Sequence, residues 1–567
     1  MDYYIQMCER IIIMNDKQSM AELLFPHIVK TPDDFETQYP ERDLPNGAKV
    51  TRFAPSPTGF LHMGSLFAAL VGRRTASDSE GVFYLRIEDT DKKREVENGV
   101  ASLVDGLNTF GIEIDEGMIS ETESKGSYGP YIQSERTPIY QAYVKALVAK
   151  GLAYPCFMTE EEISGIRAAQ ESEKRLPGIY GEYAKYRNIS YDEAKARIEN
   201  GEEYVVRLAS PGKEENRISF EDSIKGRIEM PENILDVVLL KKDGTPTYHF
   251  AHAVDDHLMR TTDVIRGDEW ISSAPIHLQL FEVLGFKAPR YAHIAPLQKE
   301  DAETGGKRKL SKRKDPEAAV EYYKKAGYPA EAVIEYLLTI ANSNYEEWRL
   351  ANPEAEQSEF KFSLSKMSKA GALFDLAKLN DVSKNYICTL SAEEVFDLTA
   401  EWAKEYNERL YKCLTDDEEY AKAVFAIERG NEKPRKDIGK WEDVEAYVSY
   451  FYDELWDKKL DFADNISKDD MIEIIETYKQ RYDENDPAEE WFPKVREMAV
   501  ELGYAKAPKV YKKNPEEYKG HVGDVAGTIR VAVTGRRNTP DLYEILQTLG
   551  VDEVMRRFDN AIAYLTR

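Results

Sequence analysis

At ~150 residues per domain, the 567 residues suggest roughly four domains and exclude a single small binding module. Hydrophobic residues at 42% and aromatics at 11% exclude a disordered polymer. The formal net charge, 76 − 103 = −27, opposes indiscriminate coating of nucleic acid but allows a specific RNA site built on a local basic patch.

Residues 1–47 read as polar and irregular, with Pro26, Pro32, Pro40 and Pro45 breaking any long helix. The apolar run Ile11–Met14 is too short for a signal-peptide core and lacks a basic leader, and no run approaches the ~20 residues of a membrane span. Lys49–Phe53 then reads as a strand, which the prolines of Ala54-Pro55-Ser56-Pro57-Thr58-Gly59 end. Ser65 opens a helical stretch with Leu66, Ala69, Leu70 and Val71 apolar, and Val82–Ile87 is a second strand. Strand, tight loop, helix and strand begin a doubly wound α/β domain.

A segment over 134–243 interrupts that domain, mixing a helix start at the capping box Thr159–Glu162 with strand-like pieces such as Tyr204–Leu208. The strand pattern resumes at Ile234–Leu240 and Asp263–Gly267, followed by a helix through Ile276, Leu280 and Val283. From about 330 onward strand signals largely vanish. A capping box at Ser391–Glu394 precedes an apolar face of Val395, Leu398 and Trp402, and 441–456, 467–482 and 541–565 repeat that texture. The four cysteines, Cys8, Cys156, Cys388 and Cys413, form no CxxC pair or dense disulfide framework, which fits a reducing cytoplasm.

Two segments carry candidate chemistry. The loop Ala54–Ser65, ending His62-Met63-Gly64-Ser65, joins a strand to a helix N-terminus, where backbone N–H groups and the helix dipole face an anion. His62 there is placed to donate to a phosphate, and Gly64 leaves room for a flat base. Alone, the tetrad also fits an ordinary connection with one surface histidine. The run Lys307–Lys314 concentrates cations able to neutralise charge on a transferring phosphoryl group, after a hinge at Gly305 and Gly306. Alone, it also fits a solvated basic run.

Together the segments say more. Arg52–Gly64, Arg86-Ile87-Glu88-Asp89-Thr90-Asp91, Tyr131–Arg136, Pro246–Ala251, Val254–His257, Val264–Gly267, Lys309-Leu310-Ser311-Lys312-Arg313, Phe374–Leu379 and Thr528–Gly535 form an ordered set. On these residues the sequence resembles glutamyl-tRNA synthetase, a bacterial-type class I aminoacyl-tRNA synthetase. The match covers about 48–390 and the last forty or so residues; 1–47 and roughly 400–520 match weakly or not at all.

The resemblance implies a multidomain α/β protein with a doubly wound, Rossmann-like catalytic domain. Its halves would be 48–133 and 244–303, split by an acceptor-stem-binding insertion at 134–243. An N-terminal extension would cover 1–47, a junction carrying Lys309–Arg313 would cover 304–390, and an α-helical anticodon-binding region 391–567. His62, Gly64, Lys309, Ser311, Lys312 and Arg313 would serve catalysis. Ala54, Ser56, His62, Gly64, Glu269, Trp270 and Lys312 would bind ATP, and Arg52, Ser56, Glu88, Tyr248, His252 and Arg266 would surround glutamate.

The chemistry agrees with that set. Arg52 and Arg266 can clamp the two carboxylates of glutamate, Glu88 and Ser56 can receive its ammonium, and the Tyr248 hydroxyl can add a hydrogen bond. Which arginine takes which carboxylate stays open. His252 departs from relatives, which often carry Asn or an apolar residue there, and the tetrad departs from the class-wide HIGH at Ser65.

The implied reaction is attack of the glutamate α-carboxylate on the α-phosphate of Mg·ATP, giving glutamyl-adenylate and pyrophosphate. A ribose hydroxyl of the terminal adenosine of tRNA(Glu) then displaces AMP. Two alternatives are a relaxed enzyme that also charges tRNA(Gln) and a non-catalytic RNA-binding descendant. No structural zinc is expected. His249, His252 and His257 with Asp255 and Asp256 match no common zinc spacing, and Met158 stands two residues after Cys156 where a second thiolate would be needed. The partners implied are tRNA, L-glutamate and Mg·ATP, with no membrane.

Overall fold

The structure, a computed structural model, describes residues 16–57, 61–91, 96–301, 303–311 and 313–567. It divides into two compact units, one reaching to Tyr322 and including Ile334–Asp375, the other made of Tyr323–Val333 and Leu376–Arg567. The helical unit thus begins upstream of 391.

In the first unit, β1 (Val50–Phe53) leads through the proline loop to α1 (Met63–Ser77) and β2 (Val82–Leu85). β1 and β2 are parallel, in register from Val50↔Val82 to Phe53↔Leu85, and β2 pairs in parallel with Glu116–Met118 on its far side. After the interrupting segment come α2 (Tyr248–Leu258), β3 (Asp263–Gly267), α3 (Ala274–Leu284) and β4 (Arg290–Ile294). β3 and β4 are parallel. The N–H of Thr262, just before β3, donates to Val50 O at 2.9 Å, bringing β3 to the free side of β1. The chain direction across the sheet therefore reverses between β1 and β3, where doubly wound folds open a crevice at the carboxyl ends of their strands. Burial on both faces explains why Val82-Phe83-Tyr84-Leu85 is a continuous apolar run rather than an alternating one.

Two expected boundaries move. The helix opens at Met63, because the His62 imidazole caps it by accepting from the Ser65 N–H. The second strand ends at Leu85, and Ile87 makes an isolated parallel bridge with Ile132.

The interrupting segment contributes an antiparallel sheet of Ala153–Cys156, Val205–Leu208 and Val238–Leu240. Buried Asp236 ties it together, accepting from Tyr154 Oη at 2.7 Å, Arg187 Nε at 2.9 Å and Ser210 N at 2.9 Å. Its other hairpin, Arg217–Asp222 with Gly226–Pro231, leaves that sheet and docks on β4, with Asp222 opposite Tyr291.

Residues 16–47 are more ordered than their prolines suggest. Residues 16–24 are helical, and Pro32–Gln38 forms a helix with a Thr31/Asp34 capping box. Glu36 from that helix holds Arg260 Nη2 at 2.9 Å and His257 Nε2 at 2.7 Å. Short helices fit between prolines that would break a long one.

The described residues of the second unit form helices and no strand. The Ser391/Glu394 capping box starts Ala392–Tyr406, whose Val395, Phe396 and Ala403 enter a core shared with Leu410, Trp441 and Ile474. The 541–565 stretch splits at Gly550, where a φ of +75° ends Leu542–Leu549 and begins Val551–Thr566. Among the described residues of the chain, no helix is long and apolar enough to cross a membrane.

Candidate active site

A cavity of about 580 Å³ opens at the carboxyl ends of β1 and β3. Arg52, Ser56, Glu88, Tyr248 and Arg266, five of the six side chains expected around glutamate, line it. His252 does not. It is fully buried one helical turn below Tyr248, its ring stacked beneath the phenol with centroids 6.0 Å apart and its Nε2 3.1 Å from the Tyr291 hydroxyl. Burial pushes its pKa down to about 4 against the pull of Asp256, so it is neutral there.

The floor is strongly cationic. Arg52 Nε donates to Asp256 Oδ2 at 3.3 Å and its Nη1 to Ile265 O at 3.3 Å. Arg86 Nη1 donates to the other oxygen of Asp256 at 2.6 Å, and its Nη2 to Glu88 Oε1 at 3.2 Å. Burial works against the Asp256 charge, but Arg52 and Arg86 hold its carboxyl well below the usual range. Arg266 is bound differently, donating from Nε to His293 Nε2 and from Nη1 to His277 Nδ1, both at 3.0 Å. Arg52 and Arg86 thus share the firmly ionised Asp256, and Arg86 also lies 3.7 Å from Asp255, whereas Arg266 faces only neutral acceptors. Glu88 is the adjustable charge, because burial pushes it up to about 7 despite Arg86 and Arg52.

The other end of the cavity is lined by Ala54, His62, Gly64, Glu269, Trp270 and Lys309, with Ser311 beside them. His62 Nδ1 accepts from the Ser65 N–H at 3.0 Å, which leaves the neutral ring's proton on Nε2, 2.9 Å from Ser65 Oγ. A Cβ at Gly64 would come within 3.2 Å of that ring, so a side chain there would displace it. Trp270 packs on Tyr248 with centroids 4.3 Å apart, joining the two ends of the cavity.

Lys309 ends Lys307–Lys309, a strand antiparallel to Gln298–Glu300, and Leu61–His62 meets Ala319–Val320 through an antiparallel bridge. The two motif loops are therefore adjacent. Arg308 does not face the cavity but grips Asp315 with two bonds of 2.6 Å, while Asp315 also accepts from the Ser311 N–H at 2.9 Å. Arg313 is exposed and off the cavity wall. Lys312, like Thr58, Gly59 and Phe60, lies outside the described residues.

Sequence reasoning gave no role to Arg86, Asp256, His277, His293 or Asp315. The first two lie inside motifs that were recognised as strings, but only the fold shows that they meet. Cys156 is 2% exposed within its strand. Among the described residues, no group of three or more His, Cys, Asp or Glu is disposed to hold a metal.

In the second unit, some of the basic residues between 506 and 530 are paired or turned inward. Arg530 Nη1 is turned inward to Pro540 O at 2.6 Å, and Lys519 is paired with Asp470 at 2.7 Å and Glu473 at 3.1 Å. Lys506, Lys509, Lys512 and Lys513 are exposed.

Comparison with known proteins agrees with this geometry. Residues 49–381 match the catalytic domain of class I tRNA synthetases (E and Q), and 506–562 match an anticodon-binding domain. A glutamate–tRNA ligase of Clostridium perfringens is 54% identical over 96% of this chain and 99% of its own length. One from Acetivibrio thermocellus is 48% identical over 96% and 100%. The crystal structure of a glutamate tRNA ligase from Elizabethkingia meningosepticum, in complex with its amino acid, superposes with a TM-score of 0.73 at 28% identity, covering 91% of this chain and 99% of that one. The chain belongs to the glutamate–tRNA ligase family of class I aminoacyl-tRNA synthetases.

Proposed function

We propose that this chain ligates L-glutamate to tRNA in two steps driven by ATP, and that the cavity at the ends of β1 and β3 is where both occur. The observation that carries the reading is the charge arrangement of the cavity floor. Arg52 and Arg266 offer two cations for two carboxylates, while Glu88 and Ser56 offer acceptors for one ammonium. Glutamine presents a neutral amide in place of one carboxylate and leaves a buried guanidinium uncompensated, a loss of about 2–5 kcal/mol. Glutamine should therefore be a very poor substrate in an aminoacylation assay; turnover comparable with glutamate removes this assignment.

ATP occupies the end lined by Ala54, His62, Gly64, Glu269 and Trp270. Mg²⁺ arrives with its phosphates as part of the substrate, since Mg²⁺ is commonly held by phosphates, water and one or two carboxylates rather than by a protein cage. Lys309, Ser311 and Lys312 stabilise charge on the leaving pyrophosphate, and His62 donates from Nε2 to a phosphate oxygen that replaces Ser65 Oγ. Arg313 acts outside the cavity wall. No side-chain nucleophile is needed, because the substrate carboxylate attacks; catalysis is positioning and charge stabilisation. A binding-only descendant would have no use for this set. The segment 134–243 receives the acceptor stem, and tRNA(Glu) is the acceptor proposed.

Glu88 makes the reading pH-sensitive. A carboxyl with a pKa of about 7 is largely neutral below that pH, where it gives a substrate ammonium no counter-charge. Because kcat/KM reports the free enzyme, kcat/KM for glutamate should rise with pH and level off above an inflection near 7. Glu88→Gln should lower the plateau and abolish that inflection; an unchanged profile in the variant removes Glu88 from the site.

Exposed Lys512 and Lys513 form part of the tRNA surface in this reading. Charge reversal at both should weaken tRNA binding and flatten the log K against log salt slope by about 0.7–0.9 per lost phosphate contact. Unaltered affinity and slope in a filter-binding titration would take these lysines out of the interface.

A further inference from the structure

Arg266 differs from the buried arginines clustered at Asp255 and Asp256. Arg52, Arg86 and Arg136 each have a carboxylate partner in Asp255 or Asp256. Among the described residues, Arg266 has none within ion-pair distance; its partners are two imidazole nitrogens, the Trp270 carbonyl at 3.4 Å and the Tyr291 ring face at 4.6 Å. A guanidinium is always protonated and only donates, so each facing imidazole nitrogen must present a lone pair. His293 Nε2 is then unprotonated, and the ring proton is on Nδ1, 2.6 Å from Asp222 Oδ2. Asp222 is itself oriented by the N–H groups of Ile224 at 2.9 Å, Lys225 at 2.8 Å and His293 at 3.1 Å. His277 is locked in the opposite sense. Its Nδ1 accepts from Arg266, and its Nε2 proton faces His249 Nδ1 at 2.9 Å.

We infer that Asp222 and His293 are positioning residues for Arg266, presenting its guanidinium to a substrate carboxylate with its charge unspent. The inference rests on the reading of Arg266 as a carboxylate ligand. The arrangement has the logic of a carboxylate–histidine–metal triad, with a guanidinium where the metal would be. A neutral acceptor holds the back of the fork without neutralising it, whereas a carboxylate in the same place would compete with the substrate. Of five N–H bonds, Arg266 uses one toward each histidine and one toward Trp270 O, so 5 − 3 = 2 remain for a bidentate carboxylate. His293 is Arg266's partner across the parallel pair β3–β4, and Asp222 ends the hairpin strand docked on β4. A residue of the interrupting segment thus completes the amino-acid pocket.

The bland alternative, in which Asp222 only anchors the hairpin, predicts altered stability without a selective change in glutamate binding. Three near-isosteric variants separate the two. His293→Asn keeps the N–H toward Asp222 but has no atom at the position of Nε2. His293→Gln restores an oxygen acceptor there. Asp222→Asn can donate to His293 Nδ1, which drives the ring proton onto Nε2 against the guanidinium.

In steady-state aminoacylation, His293→Asn and Asp222→Asn should raise the KM for glutamate 10–100-fold, the range for such outer partners, with the KM for ATP unchanged. His293→Gln should recover most of the loss. NMR of ¹⁵N-histidine-labelled wild type, with 8 histidines, should show His293 as the neutral Nδ1–H tautomer at pH 7. Glutamate KM within twofold of wild type for His293→Asn and Asp222→Asn, while Arg266→Ala raises it, overturns this inference alone, as does an Nε2–H or imidazolium His293. An unchanged KM in Arg266→Ala overturns the carboxylate reading and the inference together.

Discussion

Arg266→Ala is expected to raise the KM for glutamate by roughly 10²–10³-fold with a smaller loss in kcat. Removing one partner of a desolvated charge pair costs about 2–5 kcal/mol, and about 1.4 kcal/mol is a factor of ten. The cost falls on binding because the lost contact is to a carboxylate present in the bound ground state, as well as in the transition state. The fold should tolerate the change. His277 and His293 lose a donor but remain neutral, so the penalty is that of unsatisfied acceptors rather than of a stranded charge. Arg266→Lys should recover little, since an ammonium cannot span both histidines and still present a fork. Steady-state kinetics with glutamate varied at saturating ATP and tRNA checks this, and an unaltered KM contradicts it.

Asp256→Asn should be the most damaging isosteric change in the catalytic unit. It removes the one carboxylate shared by Arg52 and Arg86, all three side chains being nearly inaccessible to solvent. Arg52 loses its ion-pair partner, while Arg86 keeps Glu88 at 3.2 Å and Asp255 at 3.7 Å; stranding a buried guanidinium costs about 3–5 kcal/mol. Because Arg52 and Arg86 hold the Asp256 pKa down, its stabilisation is present above the ordinary carboxylate value of 3.8 and is lost only as pH falls through the lower folded value, so the variant is penalised fully at pH 7. Glu88 reports the same change from another side. Asp256 is one of the influences raising its pKa, so the inflection in kcat/KM for glutamate should move below 7 in the variant. A thermal unfolding midpoint and pH profile identical to wild type would show that Asp256 is not the keystone of this cluster.

Local strand and helix patterns carried much of the fold. Val82–Leu85 was legible because burial on both faces makes a parallel strand continuously apolar, while the strands of Arg52 and Arg266 keep a charged residue within a short apolar run. The helix start was misplaced by two residues because an imidazole caps it, and serine is the commoner cap. Which acid of Asp255-Asp256 serves the cavity is a matter of helical phase. Adjacent positions point about 100° apart, so Asp255 turns to Arg136 while Asp256 turns to Arg52 and Arg86. The resemblance puts His252 among the glutamate ligands, yet one helical turn carries it beneath the Tyr248 phenol.

Asp222 had no signal at all. It stands 71 residues before His293 in an acidic stretch, Phe220-Glu221-Asp222, and acquires meaning only through the docking of its hairpin on β4. Arg530 shows the reverse case: it lies inside the recognised motif Thr528–Gly535, yet its guanidinium is turned onto the backbone carbonyls of Thr539 and Pro540.

The most direct measurement is aminoacylation by the purified protein, with labelled glutamate, ATP, Mg²⁺ and tRNA(Glu), and with tRNA(Gln) in a parallel reaction. Label should become acid-precipitable on tRNA(Glu) only when ATP is present, with AMP and pyrophosphate formed. Absence of ATP-dependent charging of tRNA(Glu) with glutamate by properly folded protein would contradict the account.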